Sequence, residues 1–188
     1  MPGFSNRPAR ATLCLLLMGL STLALTACGG GGGKKVDPED WVADLCDAAV
    51  DFESDLANIG QDADDIDLTG KSAKKDVLAV FSDQKKAIAE FKKAYEKIGV
   101  PDSKNGKKID EAIQATFKER EDFINKLSKA VNKLDTGKRF EDDLSEAFGD
   151  LDEPDSLFTR LEDLGERDAD DVLDLINGNG DCSSALAG

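Results

Sequence analysis

From Leu45 the chain places apolar residues at Ala49, Phe52, Leu56 and Ile59, at spacings of 4, 3, 4 and 3. That period lines one face of a helix. Trp41, one turn earlier, extends the stripe and is read as core packing rather than a binding platform. Asp37 is placed to cap this helix, Pro38 suits its first position, and Glu39 and Asp40 complement its dipole. Gly60 predicts its end. A second helix is expected from about Ser72, with Val77, Phe81, Ile88, Phe91, Tyr95 and Ile98 on one face and a stop at Gly99-Val100-Pro101. A third runs from about Lys107 to Leu134 through Ile109, Ile113, Phe117, Ile124, Leu127 and Val131, and stops at Thr136-Gly137. At 1.5 Å per residue, the second and third helices are each roughly 40 Å long.

The last quarter is broken. Phe140, Leu144, Ala147, Phe148 and Leu151 form a stripe that ends at Asp152-Glu153-Pro154. Leu157, Phe158, Leu161 and Leu164 resume it as far as Gly165, and Val172, Leu173 and Ile176 close it before Asn177-Gly178-Asn179-Gly180. This predicts two or three short helices filling one bundle position. No stretch alternates with a period of two, so no sheet is expected. Amphipathic helices of this length bury their stripes against one another, and the expected fold is all-α. It is an antiparallel four-helix bundle with a broken last helix.

Composition narrows the chemistry. The chain has 188 residues, 39 acidic against 24 basic, a formal charge of −15 and no histidine. A net acidic surface excludes nucleic acid as a partner of the whole molecule, because phosphate binding needs a basic footprint. The missing histidines exclude His-dependent triads, HExxH zinc sites and most histidine-ligated haem. No serine lies in a GxSxG context and no glycine-rich phosphate loop follows a strand. Carboxylate pairs such as Asp142-Asp143 and Asp170-Asp171 are adjacent in sequence and do not face each other on a helix. No catalytic residue, cofactor or metal ligand is assigned, and an enzyme is not expected.

Residues 1–10 carry Arg7 and Arg10 and no acid, and residues 11–27 carry no charge. A basic start, a short apolar run and small residues at its end form an export signal. Seventeen uncharged residues fall short of the roughly 20 that a membrane span requires. The run closes Leu25-Thr26-Ala27-Cys28, which resembles the lipobox of bacterial lipoproteins. The resemblance implies cleavage before Cys28 and attachment of a diacylglyceryl group to its thiol, anchoring the protein to the membrane through lipid. Two or three acyl chains, at about 0.8 kcal/mol per buried CH₂, hold a domain on a bilayer durably. The expected organisation is a signal peptide over 1–27, a lipidated cysteine and glycine-rich tether over 28–36, and a helical domain over 37–188. Lys34 and Lys35 stand where they would touch anionic headgroups.

Of four cysteines, Cys14 lies in the signal and Cys28 in the lipobox, leaving Cys46 and Cys182. An even pair in an oxidising compartment points to a disulfide. A bundle with an even number of passes returns the chain to its starting end, which would bring Cys182 to Cys46. Two independent buried thiols are the alternative; a redox-active pair lacks a CxxC motif.

Removing residues 1–27 takes two arginines and no acid from the −15 and leaves −17. This divides as −10 over 28–70, +7 over 71–139 and −14 over 140–188. One reading is complementarity between neighbouring helices across the bundle seams. The other is an anion-attracting face at Lys74, Lys75, Lys85, Lys86, Lys92 and Lys93 that meets headgroups, an anionic wall polymer or an acidic partner. Asp65-x-Asp67-x-Thr69-Gly70 followed by Asp76 outlines an EF-hand loop. Ser72 in place of an aliphatic residue, an aspartate at the twelfth position, and Lys71 and Lys74 within the loop favour a plain acidic loop instead. Asn177, Asn179 and Asp181 form a second oxygen-rich turn, read the same way.

Through Trp41-x-x-x-Leu45-Cys46 and Cys182, the mature part resembles the small helical lipoproteins of Gram-positive actinobacteria. That implies the fold and an extracytoplasmic, membrane-anchored location without a defined activity. The expected function is a binding or interaction module of the cell envelope, with an envelope protein or anionic polymer as partner. A small-ligand or divalent-cation binder is the second reading, and a helical envelope enzyme the third.

Overall fold

A computed structural model describes residues 33–149, 151–164 and 170–187. The expected export signal, Cys28 and most of the expected glycine tether lie outside the described residues, as does Gly165. The elements run β1 (Lys35–Val36), α1 (Pro38–Asp64), α2 (Ala73–Ile98), β2 (Val100–Pro101), α3 (Gly106–Lys133), α4 (Phe140–Gly149), α5 (Leu157–Asp163), α6 (Asp170–Asn177) and α7 (Gly180–Ala187). The protein is an all-α bundle.

Asp37 caps α1 as expected, its carboxylate accepting from the Glu39 amide at 3.0 Å with Pro38 following. The helix does not stop at Gly60 but continues to Asp64. A lone glycine costs a helix only about 1 kcal/mol, and Gly60 takes no left-handed conformation. α2 starts beside Ser72 and ends at Gly99, and α3 reaches Lys133. Val77, Phe81, Ile88, Phe91, Tyr95 and Ile98 of α2 are all buried, as are Ile109, Ile113, Phe117, Ile124, Leu127 and Val131 of α3.

α1 packs on α2 and α2 on α3. Among the described residues, the fourth position contains four short helices rather than the expected two or three. α4 and α5 lie against α3, α6 and α7 against α1, and α5 meets α7. Arg160 fastens α5 to α3 through Glu119. The Asn177–Gly180 turn does not end the helical pattern, because Asn179 Oδ1 accepts from the Cys182 amide at 3.2 Å and starts α7. Cys182 is bonded to Cys46, with the Cα atoms 4.8 Å apart, so the bundle is closed by one disulfide. One turn on, Leu186 lines a cavity with Phe52 and Leu56. α7 therefore runs in the same direction as α1.

One small sheet departs from the sequence expectation. β1 pairs parallel with β2 through Val100 N to Lys34 O at 3.0 Å and Asp102 N to Val36 O at 2.6 Å. Two-residue strands leave no periodic trace to read. Gly99 makes the pairing possible: its φ is +95°, and a Cβ there would stand 2.3 Å from the Lys34 carbonyl oxygen. The Gly99 carbonyl also accepts from Trp41 Nε1 at 3.0 Å. Residues 35 and 36, read from sequence as tether, are thus tied to the helical domain. Trp41 is fully buried and serves the core.

Candidate functional site

The helices bury most of their stripes but leave a crevice at mid-height, between α1, α2 and α3 and under the segments of the fourth position. An aromatic series leads from the core to its walls. Trp41 meets Tyr95 edge-on, Tyr95 meets Phe117, Phe117 meets Phe91, and Phe91 stacks on Phe52 at 4.9 Å between centroids. Phe52 and Leu56 of α1 and Ile88 of α2 then line two adjoining cavities. The deeper one, about 30 Å³, is floored by Phe91, Thr116 and Phe117 and roofed by Leu157, Ala185 and Leu186. The outer one, about 170 Å³, extends to Phe81, Gln84, Phe123, Ile124 and Leu127 and is edged by Glu153 and Pro154.

Arg120 borders both cavities. Burial pulls its guanidinium below the ordinary value, and the charges of Glu153 and Glu53 act in the opposite sense. It nevertheless remains a cation, because arginine does not deprotonate in proteins. Glu53 lines the deeper cavity and Glu153 the outer one. The Thr116 hydroxyl is already committed to the Ala112 carbonyl at 3.0 Å. The crevice thus combines apolar walls with one cation, one amide and two carboxylates.

Arg120 and Gln84 were not singled out from sequence, although the signal was present. The α3 stripe jumps seven positions from Phe117 to Ile124, and the α2 stripe jumps seven from Phe81 to Ile88. Arg120 and Gln84 occupy the skipped positions. A polar side chain within an apolar stripe marks a place where the stripe is incompletely covered.

The other sequence candidates separate. Cys46 and Cys182 are brought together, as described above, whereas Cys28 is outside the described residues. The Lys74 ammonium donates to the carbonyls of Asn132 and Leu134 at 2.7 and 2.9 Å, capping the C-terminal end of α3. Lys86 lines a groove with Asp55, Asp62, Asp83 and Glu90, so acids interrupt the lysine face. Among the ion pairs described, none joins α1 to α2; Lys107–Glu111 and Lys118–Asp122 lie within α3, and Arg139–Asp143 ties the residue before α4 to that helix. The exposed Asp67 carboxylate accepts from the Thr69 hydroxyl at 2.6 Å and from the Thr69 amide at 3.0 Å, which holds its pKa below the ordinary carboxylate range. Asp65 is the C-terminal cap of α1. Among the described residues, no group of three or more His, Cys, Asp or Glu stands where it could hold a metal ion.

Buried polar groups below the crevice are structural. The Tyr95 hydroxyl donates to Asp110 Oδ1 at 2.9 Å inside the core. Burial first, then the Asp110 charge and this hydrogen bond, pushes the Tyr95 pKa far upward. A phenol with that pKa does not act as a base.

No family model, curated protein or solved structure matches the chain. Among the described residues, no helix is long and apolar enough to cross a membrane.

Proposed function

We propose that this protein is a lipoprotein, anchored through Cys28 on the extracytoplasmic face of the cell membrane, whose helical domain is a binding module of the envelope. The lipobox residues Leu25-Thr26-Ala27-Cys28 support the anchor. The disulfide between Cys46 and Cys182 suits an oxidising compartment. The observation that carries the binding role is the crevice, an apolar cavity on which a few polar groups converge, as in ligand sites generally. Fully apolar cover would have been the more stable solution for an inert bundle, because a half-buried cation loses solvation. The cation, the amide and the two carboxylates stand as pairing groups around an apolar cavity, which favours a binding role over catalysis.

Two experiments test this reading. Cys28→Ala should move the protein from the membrane to the soluble fraction, and continued membrane retention refutes the anchor. A photoreactive residue at Leu56, inside the crevice, should give an adduct on intact cells that the same residue at exposed Ala43 does not. Equal labelling from both positions, or none from either, refutes the crevice as the binding site.

A further inference from the structure

The crevice carries polar groups of both signs. Arg120 and Gln84 supply donors to the outer cavity, and Glu153 at its edge supplies an acceptor with full negative charge. Glu53, bordering the deeper cavity beside Arg120, adds a second carboxylate. A simple anion would gain Arg120 but meet Glu53 and Glu153. A simple cation would gain the glutamates but meet Arg120. A ligand carrying both charges on neighbouring atoms satisfies both sets. Such a head joined to an apolar body places the body against Phe52, Leu56 and Ile88. The outer cavity, about 170 Å³, is the right size for one ring, since an apolar cavity of about 150 Å³ accommodates benzene.

We infer that the crevice binds a free apolar α-amino acid in its zwitterionic form, with its carboxylate on Arg120 and Gln84 and its ammonium on Glu153. This rests on the crevice being the binding site. Paired charges of this kind give selectivity because an analogue lacking its carboxylate leaves the half-buried Arg120 without a ligand partner, and one lacking its ammonium forfeits Glu153.

The test uses the full chain in a mild non-ionic detergent, with L-phenylalanine, 3-phenylpropionate and 2-phenylethylamine as probes in calorimetric titration. L-phenylalanine should bind saturably at one site, and each analogue, lacking one charge, at least about tenfold more weakly. Arg120→Met should lose L-phenylalanine binding while melting no lower than the parent, since a half-buried cation replaced by an apolar chain of similar length is tolerated. Glu153→Gln, at an exposed loop position, keeps the test open should Arg120→Met misfold, and should weaken L-phenylalanine while leaving 3-phenylpropionate unchanged or tighter. Absence of saturable L-phenylalanine binding up to about 10 mM, or equal binding of 3-phenylpropionate, overturns the inference. If the photoadduct at Leu56 persists while L-phenylalanine fails, the ligand class falls and the crevice stands.

Discussion

Replacing Cys46 and Cys182 together by alanine opens a loop of 136 residues. The chain-entropy relation assigns a crosslink of that span about 5 kcal/mol at 25 °C, an upper estimate because real denatured chains retain structure. Alanine is the right replacement. Both sulfurs are buried, Cys182 completely and Cys46 to within 4 %, and an unpartnered serine hydroxyl there would add about 1–3 kcal/mol of its own. The disulfide joins α7, eight residues long, to the 27-residue α1. Without it α7 is held by little beyond Leu186, Ala185 and its Asn179 cap. For a domain of this size, 1 kcal/mol corresponds to about 2–4 °C, so the variant should melt about 10–20 °C below the parent. Far-ultraviolet circular dichroism of the full chain checks this. Reductant should lower the parent by a similar amount and leave the variant unchanged. A fall of less than about 3 °C in both arms would mean that the loop is already constrained in the unfolded chain, and the entropy reasoning fails.

Three further perturbations probe the core, the small sheet and the acidic loop. Tyr95→Phe removes the hydroxyl that donates to Asp110, whose residue is only 8 % exposed; stability should fall by about 1–3 kcal/mol in urea unfolding, with Asp110→Asn giving a smaller loss. Gly99→Ala places a Cβ at φ +95°, 2.3 Å from the Lys34 carbonyl oxygen, and should separate β1 from β2, with faster exchange of the Val100 amide and a cost of at least about 1–2 kcal/mol. Thr69→Val removes the hydroxyl donor that does most to hold Asp67 low, so a carboxyl NMR titration should show Asp67 returning towards the ordinary range. Because the folded carboxylate is depressed, its stabilising contribution is present above the unfolded pKa and is lost as pH falls through the folded one. The variant should therefore lose some of the parent's pH dependence at the acid end.

The period of the apolar residues was enough to place the three long helices and the breaks of the fourth position, because a stripe at spacings of three and four has one way to be buried. It also placed Trp41, Phe117 and Val131 in the core. Termini were less legible. Gly60 reads as a stop but takes ordinary helical geometry, whereas Gly99 is a stop because a neighbouring strand approaches its Cα. The lysines of α2 form a basic face in sequence, yet Lys74 caps α3 and Lys86 stands among acids. These fates depend on which element lies alongside.

The chain by itself determined an acidic, histidine-free, helical protein in which Cys46 and Cys182 are the two cysteines of the helical part. Those properties are local or compositional, and no partner element is needed to read them. Tertiary structure decided that α7 runs alongside α1 in the same direction, that residues 35 and 36 join the domain, and that Arg120 and Gln84 border one cavity. A skipped stripe position says only that a polar residue faces inward. Whether it meets packed side chains or open space depends on how the short helices of the fourth position divide their cover between α1 and α3, and that division is made between residues distant in sequence.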